Sequence, residues 1–84
     1  MPYRLAYSKI AEREIKRLDS TILRRVINAI EQLQTDPRPR GCKKLVGREE
    51  WRIKVGDWRV IYRIEDHVLI VTVIRVSHRS DAYK

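Results

Sequence analysis

The sequence predicts an α+β fold in the order β-α-α-β-β-β, a small, mostly antiparallel four-stranded sheet with two helices packed on one face. Three observations lead there. Trp51 to Arg63, WRIKVGDWRVIYR, alternates apolar and cationic residues about a Gly56-Asp57 turn, which is the pattern of a two-residue β-hairpin. Upstream, two apolar stripes recur at three- and four-residue spacing, the period of amphipathic helices. Downstream, Val68 to Ile74 is apolar on both faces, as in a strand covered on both sides.

Each element has its own local reason. Tyr3, Leu5 and Tyr7 alternate with Arg4 and Ala6, so Tyr3 to Tyr7 reads as a short strand. Ser8 is placed to cap a helix running to about Leu18, with Ala11, Ile15 and Leu18 as its stripe. Asp19-Ser20 interrupts and caps a second helix striped by Ile22, Val26, Ile30 and Leu33. Asp36-Pro37 ends it, and Arg38-Pro39-Arg40-Gly41 is a basic loop. The hairpin follows, then a turn at Glu65-Asp66-His67 and the apolar strand. In the hairpin register Val55 faces Trp58, Lys54 faces Arg59, Ile53 faces Val60 and Trp51 faces Tyr62. One face is therefore apolar, and the other carries Arg52, Lys54, Arg59 and Arg63.

Composition narrows the function. The 84 residues, read as one small domain spanning 1–84, are 43% hydrophobic, enough for an ordinary core. Lysine and arginine number 19 against 11 acidic residues, a formal charge of +8. From Arg38 onward twelve basic residues face six acidic ones, so +6 of that charge lies with the hairpin. Such an excess selects nucleic acid, an acidic protein or a membrane surface as partner. The longest apolar run, Val68 to Ile74, is too short to span a bilayer and the N-terminal MPYRLAYSK lacks an apolar h-region, so the chain reads as cytoplasmic with no membrane partner. The lone Cys42 allows no internal disulfide and reads as an incidental loop cysteine in a reducing compartment. His67 and His78 are too distant for a metal site, and no cofactor is expected.

Lys54 opposite Arg59 is a local cost, since like charges facing one another across a sheet repel. Two facing cations are suited to a polyanion. If the last strand lies beside the hairpin, Arg52, Lys54, Arg59, His78, Arg79 and Tyr83 form one patch. Arginine binds phosphate oxygens at two points, tyrosine stacks on an unpaired base, and histidine exchanges protons near neutrality. RNA supplies its own nucleophile, the 2′-hydroxyl, so the protein need only orient it, remove its proton and stabilise charge on the phosphate. The same cations serve equally well as a solvated strand face or as a dock for an acidic protein.

Three segments resemble one known family. Lys44-Leu45-Val46-Gly47, the hairpin from Trp51 to Tyr62, and Val76-Ser77-His78-Arg79-Ser80-Asp81-Ala82-Tyr83 are similar, in order and spacing, to the RelE/ParE superfamily of bacterial and archaeal toxins. The resemblance covers nearly the whole chain and implies the same β-α-α-β-β-β fold. Its RelE branch consists of ribosome-dependent messenger RNA endonucleases held inactive by a RelB-like antitoxin encoded alongside. It implies roles for Arg52 as a basic strand residue, Lys54 in activating the 2′-hydroxyl and Arg59 in stabilising the cleaved phosphate. Arg79 would be proton donor or phosphate ligand, Tyr83 would stack on the message, and His78 accompanies the arginine in many relatives. Lys43, Lys44 and Arg63 would contact RNA, Lys44 on the ribosomal side. Arg52 stands where a lysine is frequent; arginine is a far poorer proton acceptor, so Lys54 is the base candidate.

The function expected is thus that of a metal-independent endoribonuclease toxin that cuts messenger RNA in the ribosomal A site. Two alternatives stand beside it: a ParE-like toxin that poisons DNA gyrase without cutting RNA, and a basic RNA-binding module without catalysis.

Overall fold

A computed structural model describes residues 2–81. In chain order it contains β1 (Arg4–Tyr7), α1 (Lys9–Lys16), α2 (Ser20–Gln32), β2 (Lys43–Lys44), β3 (Trp51–Val55), β4 (Trp58–Glu65), β5 (Ile70–His78) and a single 3-10 turn, Arg79–Asp81. The five strands form one sheet in the order β1-β5-β4-β3-β2, with β1 parallel to β5 and every other pair antiparallel.

Both helices begin where a short polar side chain can satisfy free amides. Ser8 Oγ accepts from the Ala11 amide at 3.0 Å, and Asp19 Oδ1 accepts from the Ile22 amide at 3.0 Å. Their apolar stripes cover one face of the sheet. Ala11, Val26, Ile30 and Leu33 are fully buried against Val60, Tyr62, Val71 and Val73. Burying each of the larger aliphatic side chains contributes about 1.5–3 kcal/mol, which makes this interface the main source of stability.

The hairpin has the expected register residue for residue, from Val55 opposite Trp58 to Trp51 opposite Tyr62. Gly56 has φ 61°, and no other residue of the turn has positive φ, the pattern of a turn with glycine first. A methyl group at Gly56 would also come within 3.2 Å of the Arg25 guanidinium from α2.

Three details differ from the sequence reading. The sheet has five strands rather than four, because Lys43 and Lys44 pair with Arg52 and Trp51. Two exposed lysines have no alternation by which a strand is recognised. The last strand starts two residues later than Val68 and runs four beyond Ile74. Its start is delayed by a turn that holds Leu69 at φ 56°, and its end is extended because β4 offers partners as far as Trp58. Finally, β5 carries a bulge: Tyr62 faces Val73 and Ile61 faces Arg75, so Ile74 is an extra residue.

Loops are held by specific polar contacts. Arg38 donates to both oxygens of Asp66 at 3.2 and 2.8 Å, Tyr3 Oη donates to Asp66 Oδ1 at 2.6 Å, and the Arg38 guanidinium lies 5.1 Å from the Trp51 ring centre. These contacts tie the β4–β5 turn to the loop after α2 and to the N-terminus. In the core, Tyr62 Oη donates to the Pro37 carbonyl at 2.7 Å. Burial pushes the Tyr62 phenol well above its usual range, so it remains a donor.

Tyr62→Phe leaves the Pro37 carbonyl without its donor and is expected to cost about 1–3 kcal/mol in urea unfolding. The hydrogen bond from Arg38, reinforced by that from Tyr3, holds the Asp66 carboxyl down at about 2, against 3.8 ordinarily. A carboxyl depressed in the folded state contributes stability above its unfolded value and loses it as pH falls toward the folded one. Asp66→Asn should therefore flatten stability against pH between about 4 and 2 and leave the slope near neutrality unchanged.

Candidate nucleic-acid interface

Cross-strand partners share a face, so the register alone sorts the predicted residues. Lys43 faces Arg52, Lys54 faces Arg59 and Arg59 faces Ser77, all on the side of the sheet away from the helices. Arg63, opposite Thr72, lies on the same side farther along β4. A shallow cationic face thus extends across three adjacent strands and the edge strand β2. The Lys54 side chain is exposed and makes no hydrogen bond or ion pair among the described residues. Arg52 is different: its Nε is buried and finds no acceptor among the described residues. A buried donor left unpaired is costly, and a site that receives an anionic ligand is one place where it occurs.

Arg79 joins this face through its backbone. Its N–H donates to the Asp57 carbonyl at 2.7 Å, which anchors the 3-10 turn against the hairpin turn. This brings the chain beyond β5 to the same end of the sheet as Lys54 and Arg59.

Other predicted members lie elsewhere. His78 faces Trp58 on the helix side, with the rings edge-on and their centres 5.3 Å apart. Its Nδ1 lies 2.9 Å from Ser80 Oγ and accepts from the Ser80 amide at 3.2 Å. The bulge is the physical reason, since one extra residue exchanges the faces of everything after it. Lys44 faces Trp51, away from the cations, and its ammonium lies 3.8 Å from Glu49. Tyr83 lies outside the described residues.

One residue of this face was missed from the sequence. Glu50 is buried at 8% exposure, and its carboxylate pairs with the guanidiniums of Arg48 and, at 3.5 Å, Arg63. Extending the hairpin register by one residue places Glu50 opposite Arg63, so the signal was present. Glu50 splits the cations into two sets. Arg48 and Arg63 are neutralised by a carboxylate of the protein, while Lys43, Arg52 and Lys54 are not so neutralised among the described residues.

A deeper cleft of about 380 Å³ opens on the other side of β5, bounded by Glu14, Arg17, Trp58, Arg75, His78 and Asp81. Depth does not locate a polyanion site, because a nucleic-acid backbone lies along a charged surface. Among the described residues no cluster of His, Cys, Asp or Glu is arranged to hold a metal ion, and no helix is long and apolar enough to cross a membrane.

The fold and the cationic hairpin define a class of small bacterial and archaeal toxins. The family described as the ParE toxin of the type II toxin-antitoxin system, parDE, matches residues 5–83. The chain belongs to this RelE/ParE family and is a toxin of the type II toxin-antitoxin kind. Among its relatives, toxin RelG of Mycobacterium tuberculosis is 33% identical over 88 residues, covering 100% of this chain and 99% of that protein. The putative toxin RelE1 of Methanocaldococcus jannaschii is 30% identical over 90 residues, covering 100% and 98%. The toxin of the archaeal RelE-RelB complex from Pyrococcus horikoshii superposes with a TM-score of 0.84 at 26% identity, covering 98% of this chain and 100% of that one. The RelBE2 toxin-antitoxin complex of Mycobacterium tuberculosis gives 0.81 at 30% identity, covering 94% and 100%.

If Glu50 neutralises two arginines, its removal should cost stability in a salt-dependent way. Glu50→Gln is expected to lower the urea unfolding free energy by about 1 kcal/mol or more at low ionic strength. The deficit should shrink in about 1 M salt, where the screening length falls to about 3 Å.

Proposed function

We propose that this toxin is an endoribonuclease that cuts messenger RNA in the ribosomal A site by attack of the 2′-hydroxyl on the adjacent phosphate. The observation that carries this reading is the facing pair Lys54 and Arg59, flanked by Arg52 with its unpaired buried donor. Cations that face one another across a sheet suit a phosphodiester lying along that face.

The roles follow from side-chain chemistry. Lys54 is the proposed acceptor of the 2′-hydroxyl proton. Arg52 and Arg59 neutralise the charge that develops on the phosphate oxygens. Arg79, held at the hairpin end, neutralises the departing 5′-oxygen. His78, turned toward Trp58, is the less suited of the two tail residues. Lys43 extends the face toward the RNA backbone, and Tyr83 is the proposed stacking residue. The products are a 2′,3′-cyclic phosphate and a 5′-hydroxyl: the 2′-oxygen bonds to phosphorus and gives its proton to Lys54, the bond from phosphorus to the 5′-oxygen breaks, and the 5′-oxygen takes a proton from Arg79 or from water.

The fold relatives solved with RelB antitoxins support a cognate RelB-like antitoxin as partner. An acidic stretch on that partner suits the cationic face. A second reading, a ParE-like toxin, is favoured by the description of the matching family; DNA gyrase is the target that the ParE resemblance implies.

One experiment separates them. Purified protein is added to ribosomes programmed with a message whose nucleotide 5′ of the cut carries either ribose or 2′-deoxyribose. Cleavage of the ribose message alone is expected, and Arg59→Ala should slow it by about 10²-fold or more. Cutting of the deoxy message would refute 2′-hydroxyl attack. Absence of cutting together with inhibited gyrase supercoiling would establish the second reading.

A further inference from the structure

The outer edge of β5 is only partly covered by another strand. β1 pairs with it as far as Val73, and beyond that point α1 takes over. The Ser8 amide donates to the Val73 carbonyl at 2.9 Å, and Ser8 Oγ donates to the Ile74 carbonyl at 2.7 Å. Glu14 then completes the edge. Its Oε1 accepts from the Val76 amide at 2.7 Å, and its two oxygens accept from Arg75 Nε at 3.2 and 3.1 Å and from Arg75 Nη2 at 3.0 Å. The carboxylate therefore grips the two residues immediately after the bulge.

That grip selects a register. If Tyr62 opposite Val73 were continued without the bulge, Val76 would stand opposite Arg59 and Ser77 opposite Trp58. Valine would then lie on the cationic face and serine in the core. With the bulge, Val76 is buried at 1% exposure, Ser77 faces Arg59, and the Arg79 amide reaches Asp57. We infer that Glu14 is a positioning residue: through the Val76 amide it holds the β5 bulge and so sets Arg79 against the hairpin turn, at the end of the sheet that carries Lys54 and Arg59. The catalytic consequence rests on the endonuclease reading above; the structural one does not.

The test uses the full chain with three variants. Glu14→Ala removes both contacts. Glu14→Gln keeps an oxygen for the Val76 amide but loses the charge. Arg75→Ala removes the ion pair and leaves the Glu14–Val76 hydrogen bond. Amide exchange at Val76, with Val60 as internal reference, is read beside single-turnover cleavage on programmed ribosomes and affinity for an RNA oligonucleotide. In Glu14→Ala, exchange at Val76 should accelerate at least about tenfold relative to Val60. Cleavage should slow by about 10- to 100-fold, the scale of an ångström-sized misplacement, with RNA affinity within about twofold. Glu14→Gln should recover most of the rate, and Arg75→Ala should stay within about twofold of the parent. Equal losses in Arg75→Ala and Glu14→Ala would overturn the inference, since helix-strand adhesion alone would then be at work. Unchanged Val76 exchange, or unchanged cleavage with accelerated exchange, would also overturn it. A parent protein that does not cut refutes the endonuclease reading, and Val76 exchange still decides whether Glu14 holds the bulge.

Discussion

The register of the β3–β4 hairpin is the constraint on which the rest of the molecule depends. With Val55 opposite Trp58, the alternating side chains separate into an apolar face and a cationic face, and each determines a different property. Ile53, Val60 and Tyr62 are buried under the helices, at about 1.5–3 kcal/mol for each large side chain. The price on the other face is the juxtaposition of Lys54 and Arg59, which amounts to about 0.2–1 kcal/mol. Burial wins by a wide margin, so the core can hold two like charges together. A slip by one residue would put the cations in the core, which closes off the alternative.

The cationic face is organised as well as charged. Glu50, a buried acid among arginines, gives Arg48 and Arg63 a fixed partner inside the protein. Arg52 keeps a buried donor without an acceptor among the described residues. The distinction matters because a guanidinium already held by a carboxylate must give up that bond before it can hold a phosphate. The number of basic residues therefore overstates the number ready to bind. On the opposite edge, Glu14 does for β5 what a neighbouring strand would do, supplying an acceptor for Val76 where β1 has ended.

Much of this was legible from residue order. Caps at Ser8 and Asp19, helical stripes, the Gly56-Asp57 turn and the hairpin register are local properties, set by contacts between residues a few positions apart. The two-residue strand β2 was not legible, because pairing and not composition makes Lys43 and Lys44 a strand. Nor was the position of His78. Its neighbours in sequence, Ser77 and Arg79, gave no sign of which side it would take, and the bulge at Ile74 lies four residues upstream.

The sequence by itself determined the order of elements, the separation of charge from core in the hairpin and the family of toxins to which the chain belongs, since each follows from periodicity or from motifs in fixed order. Only the tertiary structure decided which residues outside the hairpin join its cationic face and which cations are already paired. Glu14 meets Arg75 and Val76 across separations of 61 and 62 residues. Contacts of that kind arise when strands and helices dock, and no local pattern encodes them.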